Sequence, residues 1–124
     1  MKTKLILTTA ILFSLFLYSC GGRYTDNADE NAKVLTGLNS MAETLTKQVD
    51  DYCNCLQSKN VDECQPLYLT LLNTYDSLTY KLDFAYVAMQ IDTKDFDRLT
   101  LEARTLFDKK AKCAQEAMLK EEVK

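Results

Sequence analysis

From Asp26 to its last residue the chain holds one glycine and one proline, Gly37 and Pro66. So few turn-formers permit few reversals, which favours long helices over a strand-and-turn architecture. Apolar residues then recur at spacings of three and four, the signature of one helical face. The first stripe is Leu35, Leu38, Ala42, Leu45, Val49, Tyr52 and Leu56, predicting a helix over residues 27–58. Gly37 inside it costs roughly 1 kcal/mol relative to alanine, which seven regular apolar positions can offset. The second stripe is Cys64, Tyr68, Leu71, Tyr75, Leu78, Leu82, Ala85 and Met89. The third is Phe96, Leu99, Ala103, Leu106, Cys113 and Ala117. Lys110 interrupts that last face, and its stem is expected to carry the charge out to water.

The breaks between stripes are short. Lys59-Asn60-Val61 ends the first, and Asp62-Glu63-Cys64-Gln65 reads as a capping box with Asp62 as cap and Gln65 reaching back. Pro66 falls in the first turn of the second helix, where a missing N–H does little harm. Ile91-Asp92-Thr93 makes the next turn, with Asp92 or Thr93 as cap and Asp95 and Asp97 near the positive end of the helix dipole. Helix capping accounts for these aspartates, since the acid order and turn glycine of an EF-hand are missing. Connections this short force antiparallel neighbours. The expected fold is all-α, an antiparallel up-down-up three-helix bundle over residues 27–124, stapled by disulfides at one end.

Four cysteines decide where that staple lies. Cys53 and Cys55 end the first helix beside Cys64 at the start of the second, and Cys113 lies about twenty residues into the third. At ~1.5 Å rise per residue, all four thiols converge on one end. Cys53 and Cys55 are about 200° apart around their helix, so they flank the apolar seam on opposite sides. The spacing favours Cys55 with Cys64 across the turn and Cys53 with Cys113 across the bundle. The swapped pairing, Cys53 with Cys64 and Cys55 with Cys113, stays open, because sequence permits three connectivities. The same sulfurs could instead hold zinc or Cu(I), or serve redox chemistry. The order C-x-C-x8-C-x48-C matches no common zinc pattern, and Cys-Asn-Cys lacks the two intervening residues of the usual oxidoreductase motif.

Composition removes several function classes. The chain has no histidine and no tryptophan. Without histidine the commonest general base and metal ligand are missing, and nothing is present to activate a serine or threonine. No Gly-rich phosphate loop offers a foothold for nucleotides. No catalytic residue and no metal site are therefore expected. Tyr68 and Tyr75 lie on the second stripe and are expected in the core, whereas Tyr80 and Tyr86 lie off it, as ordinary surface aromatics.

The front of the chain sets an address. Lys2 and Lys4 precede a mainly apolar segment, Leu5 to Tyr18, and Ser19 stands directly before Cys20. This is a secretory signal layout, and the apolar run falls short of the ~20 residues a spanning helix needs. Leu17-Tyr18-Ser19-Cys20 resembles the lipobox of bacterial lipoproteins, with a large aliphatic residue three before the cysteine and a small one just before it. Tyr18 stands where small residues are commoner. The resemblance covers residues 1–20 only. It implies that Cys20 receives a diacylglyceryl group on sulfur, that residues 1–19 are removed, and that the new amino end is acylated. Gly21, in place of an aspartate associated with retention at the inner membrane in some bacteria, implies an outer-membrane home. Each buried methylene contributes ~0.8 kcal/mol, so two or three acyl chains hold a small protein where one would not.

Residues 20–26 are then lipidated cysteine and tether. Loss of Lys2 and Lys4 with the leader leaves 13 basic against 18 acidic side chains, a formal charge of −5. No nucleic-acid partner is expected of such a surface. The expected function is a small lipid-anchored envelope protein that binds or scaffolds an envelope protein partner, with no cofactor beyond the covalent lipid. The alternative is a thiol-redox or metal-handling protein using Cys53, Cys55, Cys64 and Cys113.

Overall fold

The computed structural model describes residues 28–122. Three helices follow one another: α1, Ala28–Ser58; α2, Gln65–Val87; and α3, Thr93–Glu122. Among the described residues there is no strand. The fold is the all-α up-down-up bundle that the three apolar stripes predict.

Lateral contacts fix the directions of the helices. The Arg98 guanidinium donates to Asn39 Oδ1 at 2.8 Å and the Lys109 ammonium to Asp50 Oδ1 at 2.6 Å, each pair separated by 59 residues. Cys53 and Cys113 are bonded at a separation of 60. A near-constant offset means that α1 and α3 run parallel and in register. Between α2 and its neighbours the pairs converge on the turns instead: Tyr52 meets Tyr68, and Tyr86 stacks on Phe96. That is antiparallel packing.

The core is the seam the spacing implies. Leu38, Ala42, Leu45, Val49 and Tyr52 from α1 pack with Leu71, Leu78, Leu82 and Ala85 from α2 and with Leu99, Ala103 and Leu106 from α3. Fully burying a leucine is worth ~1.5–3 kcal/mol, so this aliphatic seam is the main source of cohesion. Ile91, between α2 and α3, is buried as well and closes the bundle at that turn.

The helix ends follow local chemistry that periodicity does not report. Asp92 caps α3 as expected: the Asp95 N–H donates to its Oδ1 at 2.8 Å. The expected capping box at Asp62 and Gln65 does not form. Cys64 takes the cap position without a side-chain hydrogen bond, and Asn60 Oδ1 accepts from the Glu63 N–H instead, at 2.8 Å. The tie from Cys64 to Cys55 draws the chain through a tight turn over residues 61–64, which displaces Asp62 from the cap.

Met89 is a second correction. It continues the second stripe on paper, yet α2 ends at Val87 and Met89 is exposed. The Gln90 N–H donates to the Ala85 carbonyl and the Met89 N–H to the Tyr86 carbonyl, a Schellman ending that holds Met89 at φ 58°. This is the left-handed position that glycine occupies at least cost. Met89→Gly is therefore expected to stabilise the fold by about 1 kcal/mol, read in thermal denaturation as a rise in Tm of roughly 4–8 °C.

Candidate functional site

The four cysteines of the described residues meet at the end of the bundle where α1 gives way to α2. Cys53 bonds Cys113 with a Cα–Cα distance of 5.5 Å, and Cys55 bonds Cys64 at 5.9 Å. The structure thus pairs Cys55 with Cys64 across the turn and Cys53 with Cys113 across the bundle, and the swapped pairing does not occur. Cys64 is wholly buried and Cys53 nearly so, whereas Cys55 and Cys113 are half-buried. The two positions are separated because Cys53 lies on the seam facing α3 and Cys55 faces the start of α2. With all four sulfurs in bridges, none is a thiolate, and redox or metal chemistry at this end begins with reduction of at least one bridge. Among the described residues no group of three or more Cys, Asp or Glu side chains is placed to hold a metal ion. Cys20 lies outside the described residues.

Directly beneath the bridges is a cluster of aromatic rings around Lys110. The ring of Tyr52 lies 5.6 Å from that of Tyr68, and Tyr75 lies 4.7 Å from Phe107. Burial, and secondarily the neighbouring Tyr68, holds the Tyr52 phenol above its ordinary pKa, so it remains a neutral hydroxyl. Lys110 corrects the expectation of a side chain running out to water. Only 6% of it is exposed, and its ammonium sits 3.8 Å from the ring centre of Phe107 and 4.9 Å from that of Tyr68. Ring quadrupoles supply the negative face that a carboxylate otherwise gives, worth ~0.5–2 kcal/mol.

The role of Lys110 is thus packing with a tolerated charge. Lys110→Met, which keeps the stem and removes the charge, is expected to leave stability unchanged or raise it by about 1 kcal/mol. Lys110→Glu sets a carboxylate against the electron-rich ring faces and is expected to cost about 3 kcal/mol or more. Urea unfolding of the two variants beside the parent chain measures both values, and equal losses in the two would contradict this assignment.

Tyr86, expected as an isolated surface aromatic, instead stacks on Phe96 with ring centres 4.3 Å apart. Tyr80 is exposed as expected. It belongs to a second feature, at the opposite end of the bundle, that the apolar stripes do not reveal: a groove of about 500 Å³ between the first half of α1 and the last half of α2. Its sequence signal is the apolar outer face of α2, where Tyr80, Phe84 and Val87 share one side at helical spacing and are exposed, with no partner helix among the described residues.

No protein-family model, curated protein or solved structure matches the chain.

Proposed function

We propose that this chain is a small lipid-anchored protein of the bacterial envelope, held at the outer membrane through Cys20, which works as a binding or scaffolding module and not as an enzyme. The observation that carries the proposal is the placement of Cys20 directly after a basic start, an apolar run and Ser19, followed at once by Gly21-Gly22. The bridges Cys53–Cys113 and Cys55–Cys64 support it independently, because disulfides persist in exported chains and are rare in the reducing cytosol. No helix among the described residues is long and apolar enough to cross a membrane. A lipid on Cys20 would supply the attachment, and the bundle would be what it presents.

Fractionation of the native envelope tests this. The protein is expected to sediment with membranes through high-salt washes and to be released by detergent; recovery in the salt wash would count against a lipid anchor.

Convergence of four cysteines at one end is also what thiol or metal handling would need, and that second reading makes its own prediction. Protein purified anaerobically would then carry stoichiometric metal or free thiols, whereas the anchored module yields two intact bridges and no bound metal.

A further inference from the structure

The groove between α1 and α2 lies far from the bridges. Gly37 is sixteen residues before Cys53 on α1, which at the helical rise places it about 24 Å lower along the bundle. Its walls are apolar, formed by Val34 and Met41 from α1 and by Phe84 and Ala85 from α2. About 500 Å³ falls within the range of about 300–1,000 Å³ usual for small-molecule sites.

Two details go beyond an unfilled crevice. The first is Gly37 itself. Glycine weakens a helix interior, and it is commonly kept where φ is positive or another segment comes close. Neither condition holds: Gly37 has no positive φ, and a Cβ added there would meet nothing within 4 Å. The fold does not require this glycine, yet its missing side chain widens the groove. The second is charge. The charged residues lining the groove, Lys33 and Lys81, are both cationic and exposed, on a chain whose net charge is negative.

We propose that this groove binds one acyl chain of an anionic membrane lipid, the hydrocarbon lying over Gly37 between Met41 and Phe84 and the headgroup charge met by Lys33 and Lys81. Apolar walls under a cationic edge suit an amphiphile with one long chain and a negative head, since each part desolvates where it is compensated. The inference rests on anchorage through Cys20. Ala28 stands eight positions after Cys20, and at ~3.3–3.6 Å per residue the full extension is at most about 29 Å, which keeps this end of the bundle near the bilayer. The bound lipid would orient the domain with its bridged end away from the membrane.

Because the chain has no tryptophan, a single indole reports on the groove without background. Tyr80→Trp, on the groove wall, is compared with Met118→Trp, an exposed position near the far end of α3. Each acylated protein is reconstituted into vesicles of phosphatidylcholine and phosphatidylglycerol, with bromine on the phosphatidylglycerol chains as quencher. The Tyr80→Trp emission is expected to shift to the blue and to fall at least twofold with brominated chains, while Met118→Trp is unaffected.

Adding Gly37→Leu fills the groove and should abolish most of that quenching. The protein should remain vesicle-bound, and its Tm should rise by roughly 5 °C because a strong helix former replaces glycine. Lys33→Glu with Lys81→Glu should reduce quenching without changing attachment. A vesicle-bound Tyr80→Trp protein that is not quenched overturns the groove assignment and leaves anchorage standing. Quenching that Gly37→Leu does not change overturns it too, since the end of the bundle would then lie on the bilayer with the groove empty. A protein that leaves the vesicles altogether overturns both.

Discussion

Removing the Cys53–Cys113 bridge is expected to lower the stability of the folded domain by about 4 kcal/mol. The bridge closes a loop of 60 residues between α1 and α3, and in the chain-entropy model the benefit grows with the logarithm of loop length. Cys55–Cys64 closes a loop of 9 and is worth about 2.5 kcal/mol on the same basis. A domain of this size has roughly 5–15 kcal/mol in total, so losing the long bridge alone removes a large share. Cys53→Ala with Cys113→Ala should therefore melt roughly 16–30 °C below the parent chain, and Cys55→Ala with Cys64→Ala should fall less. Full reduction should bring the domain close to its unfolding midpoint at growth temperature. The inequality of the two losses is diagnostic, because with the swapped connectivity each double variant would break both bridges and the two would fall equally. Equal melting temperatures before and after reduction would mean that the helical seam carries the fold unaided.

The second large effect concerns attachment. Cys20→Ser removes the sulfur to which a lipid would be joined, and with it every acyl chain. A single acyl chain of fourteen carbons gives only marginal membrane binding, of order 10⁴ M⁻¹, and stable anchoring takes two. Loss of all chains should therefore move the protein almost wholly from the membrane to the soluble fraction. The variant is exported behind a leader whose cleavage does not depend on lipidation, because an uncleaved Leu5–Tyr18 run would itself hold the protein at the membrane. The bundle itself should be unaffected: Cys20→Ser should show the same Tm and the same two bridges as the parent, because Cys53, Cys55, Cys64 and Cys113 pair among themselves. Persistence of Cys20→Ser in the membrane fraction would transfer the attachment to another part of the chain, with the exposed apolar face of α2 at Phe84 and Val87 the first to be tested.

Much of the architecture was legible because a helix repeats every 3.6 residues and a buried face must therefore repeat at three and four. Leu38, Ala42, Leu45 and Val49 declare their face without reference to the rest of the chain, and so do Leu99, Ala103 and Leu106. The meeting of four cysteines at one end followed from the rise per residue and the shortness of the turns. Helix ends were less legible, since they depend on bonds made by neighbours. Asp62 has the chemistry of a cap, but the bridge from Cys64 to Cys55 sets the path of the turn, Cys64 takes the cap position, and Asn60 accepts from the Glu63 N–H within the turn. Met89 matches the stripe in spacing, but the Schellman ending at Ala85 and Tyr86 turns it out to solvent, and Ile91 supplies the buried side chain there.

Lys110 and Gly37 illustrate a different limit. A lysine on an apolar face can run out to water or lie against rings, and the choice depends on Phe107 and Tyr68, from two different helices. Gly37 reads in sequence as a local cost and nothing more. Only the neighbouring helix, with Tyr80, Lys81 and Phe84 along its edge, turns its missing side chain into the open part of a groove. Cys20, to which we propose the lipid is joined, lies outside the described residues, and its flanking sequence carries that proposal.

Intact mass spectrometry of the protein isolated from its native envelope tests that proposal most directly. The expected chain begins at Cys20, carries a diacylglyceryl group on that sulfur, and is lighter than its fully reduced form by the four hydrogen atoms lost in forming two bridges. A chain still bearing residues 1–19, with an unmodified thiol at Cys20, would contradict it.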